Sequence, residues 1–293
     1  MDKSVVVLMA VYNEEKYIRE AIESFVSQDY LNKHLVIVDD FSTDNTYRVA
    51  KEYECDIITV LKNTIKGKNN AYNLAFQYVQ GDYYCFLGGD DYFTPESLSC
   101  RMKCISELRS GKTAVFSKLK TFSEIKRFDG IVMPRSNGKG NDSGGCVFLS
   151  DTLAASIFPL PNNLPNEDIW ISLHIQYFAD EVNVVNNIVL RYRIHENNSV
   201  GIMSPFKKRN QKMYDRGLVY ALFLEKYRFS LNSMDIMYLE KMNVLVYLRY
   251  TGNILSILFL SGVPLHRKIS NIINSNKYTY NIKTFLYKFL AGR

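Results

Sequence analysis

Four times in the first 110 residues a short apolar run precedes a stretch with helical spacing, and this alternation constrains the fold more than any other feature. VVVLMAV (5–11) is apolar without interruption, as a strand covered on both faces must be. Ile18, Ala21, Ile22, Phe25 and Val26 follow on one helical face. LVIVDD (35–40) and DIITVL (56–61) repeat the strand pattern, and each leads into a helical stripe: Val49, Ala50 and Tyr53, then Ala71, Leu74, Ala75 and Tyr78. Tyr83 to Leu87 is the fourth strand. Ser and Thr of FSTDNT are expected to cap the second helix, and Thr94 to cap the fourth with Pro95 in its first turn. Leu98, Met102, Ile105 and Leu108 form that helix's buried stripe, and Gly111 is expected to stop it. This β-α order predicts an α/β fold with a Rossmann-like, mainly parallel sheet flanked by helices.

In such sheets ligands bind beyond the carboxyl ends of the strands. Tyr12-Asn13, Asp39-Asp40 and Asp90-Asp91 all stand at strand ends, so the three clusters are expected to face one crevice. The first strand–helix turn, AVYNEEK, has no glycine to admit a pyrophosphate, and no GxxxxGK[ST] occurs. A phosphate-bearing ligand here needs another source of positive charge, for which a divalent metal held by carboxylates is the candidate.

From about 118 to 205 the pattern changes to a polar, glycine-containing loop (135–145), the apolar run CVFL, a Pro/Asn-rich loop, a helix around Trp170 and the strand NIVLRYRIH. It reads as a mixed extension supplying the other wall of the crevice. Beyond Pro205 the sequence is mainly helical. The expected organisation is therefore 1–117, a nucleotide-binding half; 118–205, an acceptor-side half; and 206–293, a basic helical segment. The five cysteines form no CxxC pair, so reduced thiols are expected. The apolar start of the chain is too short to span a bilayer and lacks a cleavage site, from which a cytoplasmic protein is expected.

VVVLMAVYNEEKYIREAIESFVSQ, LVIVDDFSTDNT, YYCFLGGDDYF and LPNEDIW, in that order, resemble the family 2 glycosyltransferases, inverting nucleotide-sugar enzymes with the GT-A fold. The resemblance covers roughly the first 200 residues. It implies that Tyr12 lies against the nucleotide base, with a core tyrosine at a strand end as the other reading, and that Ala10, in the usual proline position, belongs to the nucleotide-binding set. It also implies that Asp40 accepts the N3–H of uracil or thymine, a donor cytosine lacks, which selects UDP- or dTDP-sugars. Asp39 caps or orients the turn, and Phe41 replaces the usual glycine. Lys68 stands near ribose and phosphates, with a solvated loop lysine as the other reading. Relatives usually carry Asp-x-Asp-Asp at 88–91; here Gly88 replaces the first acid, which touches ribose recognition more than metal binding. The resemblance implies Mn²⁺ or Mg²⁺ at Asp90 and Asp91, with Asp90 also meeting the nucleotide and His195 a further ligand. A structural histidine is the other reading of His195, and Arg193 is a weaker candidate. Of Glu167 and Asp168, Asp168 is the expected base that deprotonates an acceptor hydroxyl, and both residues also suit a helix N-terminus.

The net charge of +6 is uneven: from Lys241 onward there are eight Lys or Arg and no acid. With VLVYLRYTGNILSILFLSG and YNIKTFLYKFLAGR, residues 241–293 read as an interfacial anchor on an anionic membrane surface, or as a helical subdomain or dimer contact with a solvated basic face. The expected partners are a nucleotide-sugar donor and a saccharide or lipid-linked acceptor, at the inner face of the cell membrane and without nucleic acid. Two rivals are weighed. A sugar-1-phosphate nucleotidyltransferase needs a glycine-rich basic N-terminal loop, which AVYNEEK is not. A non-catalytic, metal-impaired nucleotide-sugar-binding relative is kept open by Gly88.

Overall fold

A computed structural model describes residues 3–109, 111–195 and 205–286. By its internal contacts the chain divides into two compact units, one ending at Arg193 and the other beginning at Ile194.

The first unit opens with the expected alternation: β1 (Val5–Val11), α1 (Ile18–Val26), β2 (Lys33–Asp39), α2 (Thr46–Lys51), β3 (Ile58–Lys62), α3 (Lys68–Tyr78) and β4 (Tyr83–Phe86). There follow β5 (Tyr92–Phe93), α4 (Ser97–Ser106), β6 (Thr113–Phe122), β7 (Val132–Met133), β8 (Val147–Ser150), α5 (Asp151–Ile157), α6 (Asp168–Phe178) and β9 (Glu181–Arg193). Position 117, where the composition changes, lies inside β6.

The strands form one nine-stranded sheet ordered β3-β2-β1-β4-β8-β6-β9-β5, with β7 beside β6. β1 pairs in parallel with β2 and β4, and β2 with β3. β8 is antiparallel to both β4 and β6, so β6 runs the same way as β4, and β9 is parallel to β6. Six strands therefore point one way, and their last residues, Val11, Asp39, Lys62, Phe86, Phe122 and Arg193, share one edge of the sheet. The parallel, both-faces-covered strands explain the unbroken apolar runs: Val5, Val7 and Met9 enter the core shared with Ile18, Ile22 and Phe25 of α1. Each such side chain contributes roughly 1.5–3 kcal/mol by leaving water.

Two capping expectations are corrected. The Thr94 hydroxyl donates to the carbonyl of Ile188 instead of capping, and α4 begins at Ser97. In α2 the N-cap is Asn45, which makes no side-chain cap bond; the Asp44 carboxylate accepts the Thr46 N–H, and the buried Thr46 hydroxyl accepts from the Glu14 N–H. α4 ends at Ser106, and Gly111 (φ 141°) lies in the connection to β6.

The second unit is helical among the described residues: α7 (Phe206–Gly217), α8 (Val219–Tyr227), α9 (Ser233–Thr251), α10 (Ile254–Phe259), α11 (Leu265–Ile273) and α12 (Lys277–Phe285). Asn232 caps α9 by accepting from the Asp235 N–H, and left-handed Gly252 (φ 75°) ends it. Met242, Leu245, Ile257 and Val263 make a small core. Among the described residues no helix is long and apolar enough to cross a membrane.

Candidate active site

The loops beyond β1 and β2 are stitched by their own polar side chains. Asn13 (φ 56°) accepts the Thr43 N–H at 2.8 Å, and its N–H donates to the Ser42 hydroxyl at 3.0 Å. Glu15 accepts the Asn45 N–H at 2.9 Å. Phe41, in the usual glycine position, keeps the left-handed backbone (φ 62°) that glycine adopts freely. Tyr12 is 46% exposed, which excludes a core role, and the Lys66 ammonium sits 5.2 Å from its ring centroid. Ala10 pairs in register with Val38 on the neighbouring strand β2.

Asp40 is buried one residue beyond β2, its N–H donating to the Val11 carbonyl. One oxygen, Oδ1, accepts from Asn63 Nδ2 at 2.7 Å and from the Gly67 N–H at 2.8 Å. The carboxylate is therefore held from the β3–α3 loop. Asp39 accepts the Ser42 N–H at 3.2 Å and so orients the turn, while its other oxygen is buried without a hydrogen-bond partner.

Asp91 is buried, and its Oδ1 accepts the Arg193 N–H at 2.8 Å, while Arg193 Nε donates to the Asp90 carbonyl at 2.8 Å. The Arg193 guanidinium also pairs with Glu20 and stacks 4.3 Å from the Tyr17 and 4.2 Å from the Phe122 ring centroids. Arg193 thus fixes the aspartate loop against β9. A Cβ placed on Gly88 would stand 2.9 Å from Asp90 Oδ1 and 3.3 Å from Asp91 Oδ2, so both carboxylates converge beside the bare glycine. Burial and the Asp90 charge push the Asp91 carboxyl well above the usual carboxylate range, against the Arg193 N–H and Lys68. Two carboxylates facing one small space, one of them reluctant to ionise, suit a divalent cation. Among the described residues no group of three or more His, Cys, Asp or Glu side chains is placed to hold a metal, and His195 belongs to the second unit.

Lys68 is the first residue of α3 and not part of the loop before it. Its ammonium lies 2.9 Å from Glu167 Oε2. Burial lowers its pKa, but Glu167 and Tyr72 outweigh that and the net shift is upward. Glu167 is at the N-cap of α6 and Asp168 is its first residue. Trp170, buried with its indole N–H donating to the Ile157 carbonyl at 3.1 Å, anchors the helix and so fixes the acidic pair at its start. Gly144 makes room for Glu167: a Cβ there would meet its Oε1 at 3.1 Å.

Four neighbours escape motif reading. Asn63 and Lys66 belong to the loop after β3. Tyr72 stands one helical turn after Lys68; burial raises its hydroxyl pKa, with Glu167, Asp90 and Asp91 adding to the rise. Glu14 lies beside Gly89, where a Cβ would meet its Cγ at 3.0 Å, and burial together with Asp90 and Asp44 pushes its carboxyl up to about 8. Their only sequence signals are helical spacing for Tyr72 and adjacency to Asn13 for Glu14.

A mainly parallel α/β sheet with acidic clusters along one edge is the arrangement of the GT-A fold. The solved structures similar to the chain agree. TarS of S. aureus in complex with UDP-GlcNAc superposes with a TM-score of 0.64 at 18% identity, covering 93% of this chain and 79% of that one. The mannosyltransferase PcManGT from Pyrobaculum calidifontis, in complex with GDP-Man and Mn²⁺, gives 0.58 at 16% identity over 98% and 88%. By sequence, residues 6–134 match Glycosyl transferase family 2. The putative glycosyltransferase EpsE of Bacillus subtilis is 37% identical over 51% of this chain and 55% of its own length. WfaP of Escherichia coli, a UDP-Glc:α-D-GlcNAc-diphosphoundecaprenol β-1,3-glucosyltransferase, is 35% identical over 32% of this chain and 38% of its own. The chain thus spans about half or less of these curated relatives' lengths. Its residues 6–134 are similar to the family 2 glycosyltransferases.

Proposed function

We propose that the chain is an inverting glycosyltransferase that moves a sugar from a UDP- or dTDP-sugar to a hydroxyl of a saccharide or lipid-linked acceptor in cell-surface polysaccharide synthesis. The observation that carries this reading is the convergence of Asp90 and Asp91 on the space beside Gly88, at the sheet edge that also holds Asp40. Asp40, fixed by Asn63 and Gly67 through one oxygen, presents the carboxylate for the N3–H of uracil or thymine. The exposed Tyr12 ring takes the base face, and Ala10, two residues earlier on β1, belongs to the same set. Lys68 keeps its positive charge near ribose and diphosphate. Asp90 and Asp91 would hold the divalent cation, Mn²⁺ or Mg²⁺, whose chemistry is Lewis-acid neutralisation of the departing diphosphate.

The proton has to leave the acceptor hydroxyl as its oxygen attacks the anomeric carbon. Glu167 is paired with Lys68, and Asp168, half-buried at the helix start, is the base. Attack opposite the leaving diphosphate inverts the centre, and no covalent enzyme intermediate forms. A second reading, a non-catalytic nucleotide-sugar binder, is favoured only by the missing acid at Gly88.

Peripheral attachment to an anionic bilayer belongs to the same proposal. Leu255, Leu258, Phe259, Leu265 and Ile269 are exposed on α10 and α11, in a segment with no acid from Lys241 onward. Part of the tail read as the anchor, 287–293, lies outside the described residues. Flotation with phosphatidylglycerol vesicles should fail when 241–293 are removed, and unchanged flotation would remove this element.

Binding and hydrolysis of UDP-, dTDP- and GDP-sugars with and without Mn²⁺ test the main reading. Metal-enhanced binding of a UDP- or dTDP-sugar is expected. Preference for GDP-sugars would sink the role of Asp40, no metal effect would sink that of the aspartate pair, and binding without turnover would favour the non-catalytic reading.

A further inference from the structure

The nine-stranded sheet carries an unbalanced row of charge beside the Asp91–Arg193 contact. In register across three strands stand Lys120 on β6, Arg191 on β9 and Tyr92 on β5, and Val132 of β7 lies on the other side of Lys120. Both cations are half-buried, and neither has a hydrogen bond or ion pair through its side chain among the described residues. The Arg191 Nε is buried and has no acceptor. Like charges side by side on neighbouring strands destabilise a sheet, and a buried donor without an acceptor costs roughly 1–3 kcal/mol. Nothing in the row compensates, because neither Val132 nor Tyr92 brings a carboxylate. The arrangement is what an anion would complete.

The row is close to the chemistry. Tyr92 directly follows Asp91, and Arg191 is two residues, about 7 Å of strand, before Arg193, whose N–H holds Asp91. β6 and β9 lie towards the opposite end of the sheet from β2, which leads to Asp40.

We propose that Lys120 and Arg191 form an anion site for the phosphate or diphosphate of a charged acceptor. The assignment to the acceptor rests on the donor reading above, which gives the base end to Asp40 and the donor diphosphate to the Asp90–Asp91 side. A guanidinium with an ammonium beside it suits a phosphate better than a neutral sugar, since the planar fork takes two oxygens and the point charge a third. The donor's own diphosphate is the competing source of the same chemistry.

Calorimetric titration of the full chain with inorganic pyrophosphate in EDTA isolates the cationic site, because without a divalent ion the aspartate pair repels the probe. Pyrophosphate should bind the wild type, and Lys120→Met and Arg191→Met should each weaken it roughly tenfold, with Arg191→Lys less affected. UDP titrated with Mn²⁺ should bind every variant within about twofold of the wild type, which also shows that the variants are folded. Equal loss of UDP affinity would give the pair to the donor diphosphate and overturn the proposal, as would pyrophosphate binding that is absent or indifferent to the substitutions. A wild type that binds pyrophosphate but not UDP would sink the donor reading and leave the anion site standing.

Discussion

The Lys68 ammonium lies 2.9 Å from Oε2 and 3.2 Å from Oε1 of Glu167, whose side chain is only 7% exposed. A pair this enclosed on its acidic side is costly to break singly, because the remaining carboxylate keeps its desolvation penalty and loses its partner. Lys68→Met is therefore expected to destabilise the first unit by roughly 3 kcal/mol. Adding Glu167→Leu should restore most of that loss. Urea denaturation of the two single variants and the double measures the coupling, and additive losses would mean that the pair is solvated.

The same pairing separates the two acids of NEDIW. With Glu167 committed to Lys68, Asp168→Asn should lower kcat by roughly 10²–10⁴-fold and leave the donor dissociation constant nearly unchanged. Steady-state transfer with a parallel binding titration decides it. Loss of donor binding in the variant would make Asp168 structural.

The sequence made the parallel half of the sheet legible because its strands are covered on both faces and its helices on one, so period and apolarity agree at Val5–Val11 and at Ile18, Ile22 and Phe25. The acidic clusters were legible for the same reason: polar residues directly after an unbroken apolar run mark a strand's carboxyl end. What escaped was non-local. Asn63 matters through a hydrogen bond to Asp40, 23 residues earlier, and Lys68 through Glu167, 99 residues later; no local pattern encodes either contact. The caps failed because Thr94 and Thr46 were recruited by tertiary partners, Ile188 and Glu14.

Phe41 holds a left-handed backbone at φ 62° with a largely exposed ring. The conformation costs a β-carbon residue roughly 1 kcal/mol that glycine does not lose. Phe41→Gly should therefore raise stability by up to about 1 kcal/mol, offset in part by the greater freedom of glycine in the unfolded chain. Thermal unfolding reads the change. A simultaneous fall in UDP affinity would show that the ring itself contacts the base.

Glu14 gives the metal-free protein a pH dependence with a definite sign. Its carboxyl is pushed from 4.5 up to about 8, by burial first and then by Asp90 and Asp44. Below 4.5 both folded and unfolded chains carry the proton; between there and about 8 only the folded chain does. Stability should therefore fall as pH rises through that window and level off above it. Asp91, also raised, adds a slope of the same sign. Glu14→Gln should flatten the slope in part and be the more stable protein at pH 8, by on the order of 1–3 kcal/mol. Urea midpoints from pH 5 to 9 in EDTA test this, and parallel curves for the two proteins would place Glu14 in solvent.

Gly88 offers the sharpest test of the aspartate pair. The atoms a new Cβ would crowd, Asp90 Oδ1 at 2.9 Å and Asp91 Oδ2 at 3.3 Å, are the ends of side chains and not backbone. The fold can absorb Gly88→Ala by swinging the carboxylates aside, at a cost below about 1 kcal/mol. The two oxygens would then no longer face one space, and a cation held by both would be lost. Gly88→Ala should therefore weaken Mn²⁺-dependent UDP binding by roughly tenfold or more while UDP binding in EDTA stays the same. Unchanged metal dependence would mean that one aspartate suffices, or that the cation is held elsewhere.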